Sequence, residues 1–363
     1  MRSMHERFTA KRPATVADVA AAAYVSKAVA ARALGGYGSV SPTTKLKVLE
    51  AARRLDYRPN ELARTMATGR SGTIGVIVGD IENPFFGSAV RGLSDCAAQA
   101  GFDVILSNSD ETIAAERAAI AVLLAKRVDG LIVAPATMHD KAHLEDAQAL
   151  GCPLVLLDRE APGLLVDVAI VDNQAAARDV TKLLIVAGHR RVAYVSAAAA
   201  ATIPYESIEQ IALTTVRSRI AGFLEASISA GLPQPRRHIR LGANSPATAQ
   251  AILADLLSTP DRPTAIIASD SKIALEVFRA AKTLGLAIPR QLSLVAFDDA
   301  DWTSAISPAV TVVAQPSYQL GFEAARMLIE RTGGARAEPR RCILATTLIE
   351  RESIASPPVS ADL

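Results

Sequence analysis

The chain has 363 residues, of which 50% are hydrophobic and 21% are charged, so it can bury large cores and is not a disordered chain. Three widely spaced cysteines, Cys96, Cys152 and Cys342, exclude a disulfide framework, and we interpret them as small buried hydrophobes. The N-terminus has no apolar signal segment and no apolar run approaches the roughly 18 residues of a membrane span, so we expect a cytoplasmic protein without a membrane partner.

The formal net charge of +2 conceals a basic N-terminal end. Residues 1–70 hold 13 Lys and Arg against 5 Asp and Glu, whereas the remaining residues hold 26 against 32. A basic segment joined to a larger acidic body indicates that one end binds a polyanion. Residues 1–12 are polar and basic without hydrophobic periodicity, which predicts a flexible arm.

Three short helices are predicted between residues 15 and 57. Thr15, with Asp18 three residues later, has the pattern of a capping box, and Ser26 can cap a second helix over 27–34. Ser41 followed by Pro42 is a start signal for a third helix. In that helix we expect four residues to face inward: Leu46, Leu49, Ala52 and Leu55. A fourth short helix is predicted over 61–67.

From residue 73 short apolar runs alternate with stretches of helix length. These runs are 73–79, 103–109, 130–135, 153–158, 169–172, 191–196, 238–242, 264–269 and 292–297. Such alternation predicts parallel sheets with right-handed crossovers. Two series of strands predict an α/β core of two doubly wound lobes, with a ligand cleft at the carboxyl ends of the strands. Residues 197–216 fit neither pattern, and we expect them to be irregular.

The first three helices have the length and spacing of a helix-turn-helix unit. The second helix would present Lys27, Ala28 and Arg32 near its exposed start. Arginine suits the O6 and N7 atoms of guanine, and an alanine methyl group suits that of thymine. Together with the positive charge, this pattern favours binding of double-stranded DNA over a merely solvated helix face.

The chain resembles the LacI/GalR family of transcription regulators over about residues 13–354. The similarity lies in TVADVAAAAYVSKAVAARALGG (15–36), and it continues in RIAGF (219–223), VAFDD (295–299) and LIERES (348–353). The resemblance implies a helix-turn-helix domain, a hinge helix and a periplasmic-binding-protein-like core that forms a homodimer. It also implies that a small effector bound in the core changes affinity for a palindromic operator.

This resemblance also implies domain boundaries. The flexible arm is 1–12, the helix-turn-helix domain 13–59, and the hinge helix with its linker 60–70. The N-terminal lobe of the core comprises 71–172 with about 311–335. The C-terminal lobe comprises 173–310 with about 338–355.

Nine residues are implied to bind DNA. Ser26, Lys27, Ala28 and Arg32 match the start of the family's recognition helix, and Asn60, Ala63 and Met66 match its hinge helix. Met66 stands where a leucine usually wedges into the minor groove. The set is completed by Thr15 and Tyr57.

Several headpiece positions depart from the family pattern. Tyr24 replaces a turn glycine, and Val29, Ala31 and Gly35 replace residues that resemble phosphate contacts. The loss of these polar groups is expected to weaken anchoring to the DNA backbone, which the basic arm can offset.

Eight residues are implied to line the effector cleft. They are Phe85, Phe86, Asp158, Asp172, Arg219, Asn244, Ser269 and Asp298. Carboxylates and an arginine at strand ends form a polar clamp suited to hydroxyl groups or a carboxylate. Asn244 stands where relatives often carry an aromatic residue that stacks on a sugar ring. Asp270 is predicted mainly to cap the following helix.

We expect a DNA-binding transcription regulator that is switched by a sugar or related metabolite. The resemblance implies that it acts as a repressor, which is the usual role in this family. An enzyme is the first alternative, but the common nucleotide, zinc-protease and serine-hydrolase motifs do not occur, so neither a cofactor nor a metal is predicted. His139 and His143 have ligand spacing, yet without a third ligand we expect a solvated face. The second alternative, a solute-binding protein, would not need residues 13–68.

Overall fold

The fold was analysed in a computed structural model, which describes residues 12, 14–35, 38–57, 70–199, 205, 207–335 and 337–358. The chain divides into two compact units, Met1–Ser71 and Gly72–Leu363. The described helices are too short or too polar to cross a membrane.

The first unit contains three helices, α1 (Val16–Ala22), α2 (Lys27–Gly35) and α3 (Pro42–Arg54). Thr15 and Asp18 form the predicted capping box at the start of α1, and Ser41 caps α3 through the backbone N–H of Thr44. The helices enclose a small core built largely from valine and alanine side chains, which permit close approach of the helices.

The inward face of α3 differs from the prediction at Leu46 and Leu55, whereas Ala52 is buried as predicted. Val48, Ala51 and Ala52 are buried, whereas Leu46 is 68% exposed and Leu55 is 36% exposed. The buried stripe follows the i, i+3, i+4 spacing of a helix face but starts two residues later than expected. Alanines on this stripe let α3 approach α1 and α2 closely, so the larger leucines lie outside the contact.

The second unit alternates strands and helices. Its helices are α4 (Pro84–Gln99), α5 (Ile113–Ala125), α6 (Ala142–Ala149), α7 (Asn173–Val186), α8 (Thr214–Ser229), α9 (Pro246–Leu257), α10 (Ser271–Thr283), α11 (Asp301–Ala305) and α12 (Ser317–Thr332). Its strands are β1 (Thr73–Val78), β2 (Asp103–Asn108), β3 (Gly130–Val133), β4 (Leu154–Leu157), β5 (Asp167–Val171), β6 (Val192–Val195), β7 (Ile239–Arg240), β8 (Ala265–Ala268), β9 (Ser293–Phe297), β10 (Thr311–Ala314), β11 (Arg341–Leu344) and β12 (Thr347–Ile349).

The strands form two six-stranded sheets, one in each lobe. Their orders are β11-β5-β4-β3-β1-β2 and β12-β10-β9-β8-β6-β7. Every pairing is parallel except that of β10 with β12. Apolar clusters cover both faces of each sheet, as the uninterrupted apolar runs require. The predicted class of two doubly wound parallel lobes with an all-α N-terminal unit is therefore confirmed.

Two strands lie in the lobe other than the one expected. Thr311–Ala314 pairs with β9 in the C-terminal lobe, although 311–335 is expected in the N-terminal lobe. Arg341–Leu344 pairs with β5 in the N-terminal lobe, although 338–355 is expected in the C-terminal one. The chain therefore changes lobe after each of these strands rather than before it. Helix α12 packs against α4 in the N-terminal lobe.

Candidate functional site

The exposed start of α2 carries the residues predicted to read DNA. Ser26, Lys27 and Ala28 are exposed, and the Ser26 hydroxyl accepts a hydrogen bond from the N–H of Val29 at 3.2 Å. Arg32 is half-buried, and its Nε donates to the carbonyl of Ala28 at 3.3 Å. The start of α2 is therefore held in place while its side chains stay accessible.

Of the other predicted DNA contacts, Thr15 and Tyr57 are partly buried. The Thr15 hydroxyl is bonded to Asp18 at 2.7 Å, and Tyr57 is partly buried against the core of the first unit. Asn60, Ala63 and Met66, with the predicted hinge helix, lie outside the described residues, as do residues 1–11 of the predicted arm.

Two aspartates at strand ends, one in each lobe, lie where the ligand cleft is predicted, and their charges interact. Asp158 follows β4 and Asp298 follows β9, and each is 7% exposed. Burial raises the pKa of Asp298 to about 7, although Arg219 and a hydrogen bond from Gln315 oppose the shift. Burial also raises the pKa of Asp158, against the charges of Arg159 and Arg219. Burial therefore outweighs the neighbouring positive charges at both carboxyl groups.

Arg219, on α8, is the cation of the C-terminal lobe. Its Nε donates to Asn173 Oδ1 at 2.6 Å and its Nη1 donates to the Ser269 carbonyl at 2.7 Å. The guanidinium lies 3.8 Å from the centroid of the Phe297 ring. Arg219 is 6% exposed, so these contacts fix its orientation at the cleft wall.

Arg159 is the corresponding cation of the N-terminal lobe. Its Nη1 and Nη2 donate to the two Glu111 carboxylate oxygens at 2.5 and 2.7 Å, and Nη1 also donates to the Pro135 carbonyl. The guanidinium lies 5.6 Å from the Phe86 ring centroid. Burial lowers the pKa of Arg159, but the charge and hydrogen bonds of Glu111 outweigh burial and leave that pKa raised.

Two buried polar atoms at the cleft have no hydrogen-bond partner among the described residues: Gln315 Oε1 and Arg159 Nε. The first is an acceptor and the second a donor. Gln315 donates through its Nε2 to Asp298 at 2.6 Å, while Arg159 Nε lies 3.5 Å from Asp158 Oδ2. A ligand hydroxyl group can donate to the Gln315 atom or accept from the Arg159 atom, so a hydroxyl-bearing ligand suits either one.

The lobes are joined at the rims of the cleft. On one side Lys272 of α10 lies 2.9 Å from Asp80, and this hydrogen bond raises the pKa of Lys272. Elsewhere the N–H of Met138 donates to the Ala212 carbonyl at 2.8 Å. The N–H of Glu160 donates to the Thr214 hydroxyl at 3.0 Å. A change of lobe arrangement must break these contacts.

Of the four other predicted cleft residues, two are buried and two are exposed. Phe85 packs edge-on against Phe86 in the core of the N-terminal lobe, and Ser269 is buried beside Asp270. Asp172 is exposed and caps α7, although it lines a cavity of about 150 Å³ together with Asp158. Asn244 is exposed and accepts a hydrogen bond from Thr248.

The prediction of a solvated histidine face is wrong for His143. This residue is 9% exposed, and its Nε2 lies 2.6 Å from Oε1 of fully buried Glu116. The other Glu116 oxygen accepts the N–H of Ala136 at 2.6 Å, so the pair supports the loop after β3. A buried carboxylate requires such partners. The described residues contain no cluster of metal ligands.

Sequence reasoning missed four residues of the cleft, namely Glu111, Arg159, Asn173 and Gln315. Arg159 directly follows Asp158 at the end of a strand, and this position was a usable signal. Glu111 contacts Arg159 across 48 residues of chain, so its role depends on the tertiary structure. Asp270 caps α10 as predicted, through the N–H of Ile273.

A helix-turn-helix unit joined to two α/β lobes around a polar cleft defines a ligand-responsive regulator of transcription. A protein-family model, described as periplasmic binding proteins and sugar binding domain of the LacI family, matches residues 71–352. The model of the bacterial regulatory proteins of the lacI family matches residues 15–60. The chain therefore belongs to the LacI family of bacterial regulatory proteins, and the resemblance seen in its sequence is confirmed.

Individual relatives agree with this assignment. The chain is 32% identical to catabolite control protein A of Priestia megaterium over 314 residues, which are 86% of this chain and 91% of that protein. The crystal structure of the lac repressor dimer bound to operator and the anti-inducer ONPF is similar to this chain, with a TM-score of 0.80 and 25% sequence identity. The similarity covers 95% of this chain and 100% of that one. A LacI-family regulator from Enterococcus faecium with bound ribose is 28% identical, with a TM-score of 0.68, 79% of this chain covered and 100% of that one.

Proposed function

We propose that this protein is a homodimeric repressor that acts in the cytoplasm and binds a palindromic operator in double-stranded DNA. A small effector in the cleft between the lobes changes its operator affinity. The observation that carries this proposal is the combination of an accessible α2 start with a polar cleft between two lobes. A relative whose structure holds operator and an anti-inducer together supports the same arrangement.

The cleft is best suited to a neutral ligand rich in hydroxyl groups, such as a monosaccharide or a glycoside. The buried Gln315 Oε1 atom needs a donor, and burial disfavours the charged forms of Asp158 and Asp298. The cation Arg219 is already bonded to Asn173 and to the Ser269 carbonyl. A relative with bound ribose supports a sugar of this size.

The effector site then has two groups of residues. From the N-terminal lobe we assign Phe86, Asp158 and Arg159, and from the C-terminal lobe we assign Arg219, Asp298 and Gln315, with Ser269 and Asn173 orienting Arg219. Phe85 supports Phe86 from the core. Asn244 is exposed and therefore peripheral, whereas Asp172 caps a helix and also lines a cavity together with Asp158.

At the DNA, Lys27, Ala28 and Arg32 would read base edges, and Ser26 would contact the backbone at the helix start. Thr15, Tyr57, Asn60, Ala63 and Met66 complete the proposed set. The effector bridges both lobes, so it favours one lobe arrangement by its difference in affinity for the two arrangements.

Thermal unfolding with a panel of D-ribose, D-glucose, cytidine and D-ribose 5-phosphate tests the ligand class. A ligand at about 100 times its Kd adds about 2.7 kcal/mol to stability, which raises the melting temperature measurably. We expect a neutral member to do so, and we expect Asp298→Asn to lose the shift. Absence of a shift with every neutral member argues against a sugar site.

Selection of bound duplexes from a random DNA library tests the regulatory proposal. We expect a palindromic consensus, and we expect the neutral sugar that raises the melting temperature to change affinity for that consensus. An enriched pool without symmetry, or an affinity indifferent to the sugar, contradicts the proposal.

A further inference from the structure

Glu111 reaches the cleft through an unusual backbone segment. Asp110 and Glu111 are consecutive non-glycine residues with φ of 48° and 56°, in the left-handed region that L-residues rarely adopt. The N–H of Glu111 donates to the carbonyl of Gly79 at 3.2 Å, which returns the chain to the end of β1. Strained residues of this kind cluster at functional sites, and here the turn aims a carboxylate at Arg159.

A glycine makes room for this carboxylate. A Cβ atom at Gly79 would lie 2.2 Å from Glu111 Oε1, so no other residue at position 79 leaves the carboxylate where it is. The carboxylate then forms two parallel hydrogen bonds with the Arg159 guanidinium. Paired planar groups of this type are both strong and geometrically specific.

The ion pair between Glu111 and Arg159 determines the charge on the N-terminal side of the cleft. With Glu111 in place, Arg159 contributes no net charge to the N-terminal side of the cleft, and only its Nε remains free of a hydrogen bond. The other charged groups of this cluster are the carboxyl groups of Asp158 and Asp298 and the guanidinium of Arg219, whose positive charge acts on both. An anionic ligand would therefore find no unpaired cation on the N-terminal side of the cleft, and in a site of low exposure the loss of that attraction is large.

We propose that Glu111 is the residue that determines charge selectivity at the cleft, because its ion pair with Arg159 makes the site accept neutral hydroxyl ligands and reject phosphorylated or acidic sugars. This inference rests on the proposed function of the cleft as a sugar site. Loss of the Glu111 charge would leave Arg159 as an unneutralised cation beside the ligand, which would attract an anionic group.

The test compares neutral and anionic sugars in Glu111→Gln. Calorimetry of the full-length protein measures the affinity for D-ribose, D-ribose 5-phosphate, D-glucose and D-glucuronate. The parent should bind at least one neutral sugar and prefer it to its anionic counterpart. In Glu111→Gln that preference should fall at least tenfold, because the anionic sugar gains affinity relative to the neutral one.

Two further variants separate charge from position. Glu145→Gln, at an exposed residue of α6, removes the same charge from the same lobe and should keep the parental preference. Glu111→Asp keeps the charge but shortens the side chain, so it should keep the preference even where overall affinity falls. If Glu111→Gln does not fold, a preference in Glu111→Asp that drops tenfold overturns the inference.

The outcomes distinguish a failure of the selectivity role of Glu111 from a failure of the proposed sugar site. A parent that binds anionic and neutral sugars equally well overturns the selectivity role but leaves the sugar site intact. A Glu111→Gln protein that loses both classes in equal proportion does the same, since Glu111 would then only hold Arg159 in place. A parent that binds none of the four sugars contradicts the proposed function itself.

Discussion

Asp158 and Asp298 occupy equivalent positions in the two lobes, each directly after a buried strand and each in the left-handed backbone region, with φ of 66° and 71°. Left-handed φ is costly for a residue with a side chain, by about 1–3 kcal/mol. Its occurrence at both strand ends directs two carboxylates towards one cleft. Their charges interact across the cleft, since Asp158 contributes to the raised pKa of Asp298.

Arg219→Ala should abolish most of the response to effector without affecting DNA binding. Removal of a buried, oriented cation from a polar ligand site costs about 2–5 kcal/mol, which is roughly 30-fold or more in affinity. Calorimetry with the sugar identified by thermal unfolding measures the loss. Arg190→Ala, an exposed arginine of the same lobe, is the control and should bind as the parent does. Undiminished affinity in Arg219→Ala would place the ligand elsewhere.

Asp298→Asn should change how stability depends on pH. Burial raises the pKa of Asp298 from 3.8 to about 7, so between these values the folded state binds more protons than the unfolded state. This aspartate therefore makes the free energy of unfolding fall as pH rises from about 4 to about 7. Urea unfolding at pH 4.5, 5.5, 6.5 and 7.5, in parent and variant, should show a less negative slope in the variant.

The difference between the pH profiles of parent and Asp298→Asn cancels the contributions of other titrating groups. Burial lowers the pKa of His189, so this histidine makes stability rise with pH below its usual value near 6.5. It is present in both proteins, and its contribution cancels in the difference. Parallel pH profiles in parent and Asp298→Asn would contradict the raised pKa.

Much of this architecture follows from the apolar runs, because strands covered on both faces must be apolar throughout. The runs at 73–79 and 292–297 are two such strands. Strand β11 was missed because its residues alternate between exposed and half-buried at a sheet edge, and β12 because it has only three residues. The points at which the chain changes lobe leave no signature in local periodicity.

The cleft could be predicted only in part, because contacts between residues distant in sequence also leave no local signal. Asp158 and Asp298 follow recognisable strands, so their place at the ligand edge follows from topology. The Glu111–Arg159 pair depends on two left-handed residues that sequence preference would not place there. The inward orientation of His143 likewise required knowledge of Glu116 on a neighbouring helix.

Arg32→Ala should weaken binding to the operator by about 1–3 kcal/mol and relax the choice of one base pair. Arg54→Ala, on the exposed side of α3, should instead weaken binding to all duplexes alike and reduce its salt dependence, as loss of a phosphate contact would. Fluorescence anisotropy on the selected operator and on single-base variants distinguishes the two patterns. Unchanged base preference in Arg32→Ala would contradict the recognition role of α2.

Tyr24→Gly should stabilise the first unit by up to about 1 kcal/mol. Tyr24 has φ of 54° and is 96% exposed, so its side chain makes little packing contribution while its Cβ strains the turn. Tyr24→Ala keeps the Cβ and should leave stability close to that of the parent. Thermal unfolding followed by circular dichroism measures both variants, and equal stabilities of the two would show that φ is not the cause.

Two glycines of helix α4 should respond in opposite directions to substitution by alanine. A Cβ at Gly92 would lie 2.0 Å from the Tyr318 carbonyl oxygen of α12, so Gly92→Ala must push the two helices apart. Overpacking of this kind costs about 1–3 kcal/mol, and here the obstacle is backbone that cannot rotate away.

Gly87 lies in the same helix, but a Cβ there meets no atom within 4 Å. Gly87→Ala should therefore gain about 0.5–1 kcal/mol, because alanine restricts the unfolded chain and favours the helix. Urea unfolding of the full-length protein gives both free energies under the same conditions. Should Gly92→Ala prove as stable as Gly87→Ala, the close crossing of α4 and α12 could not be what holds this face of the N-terminal lobe together.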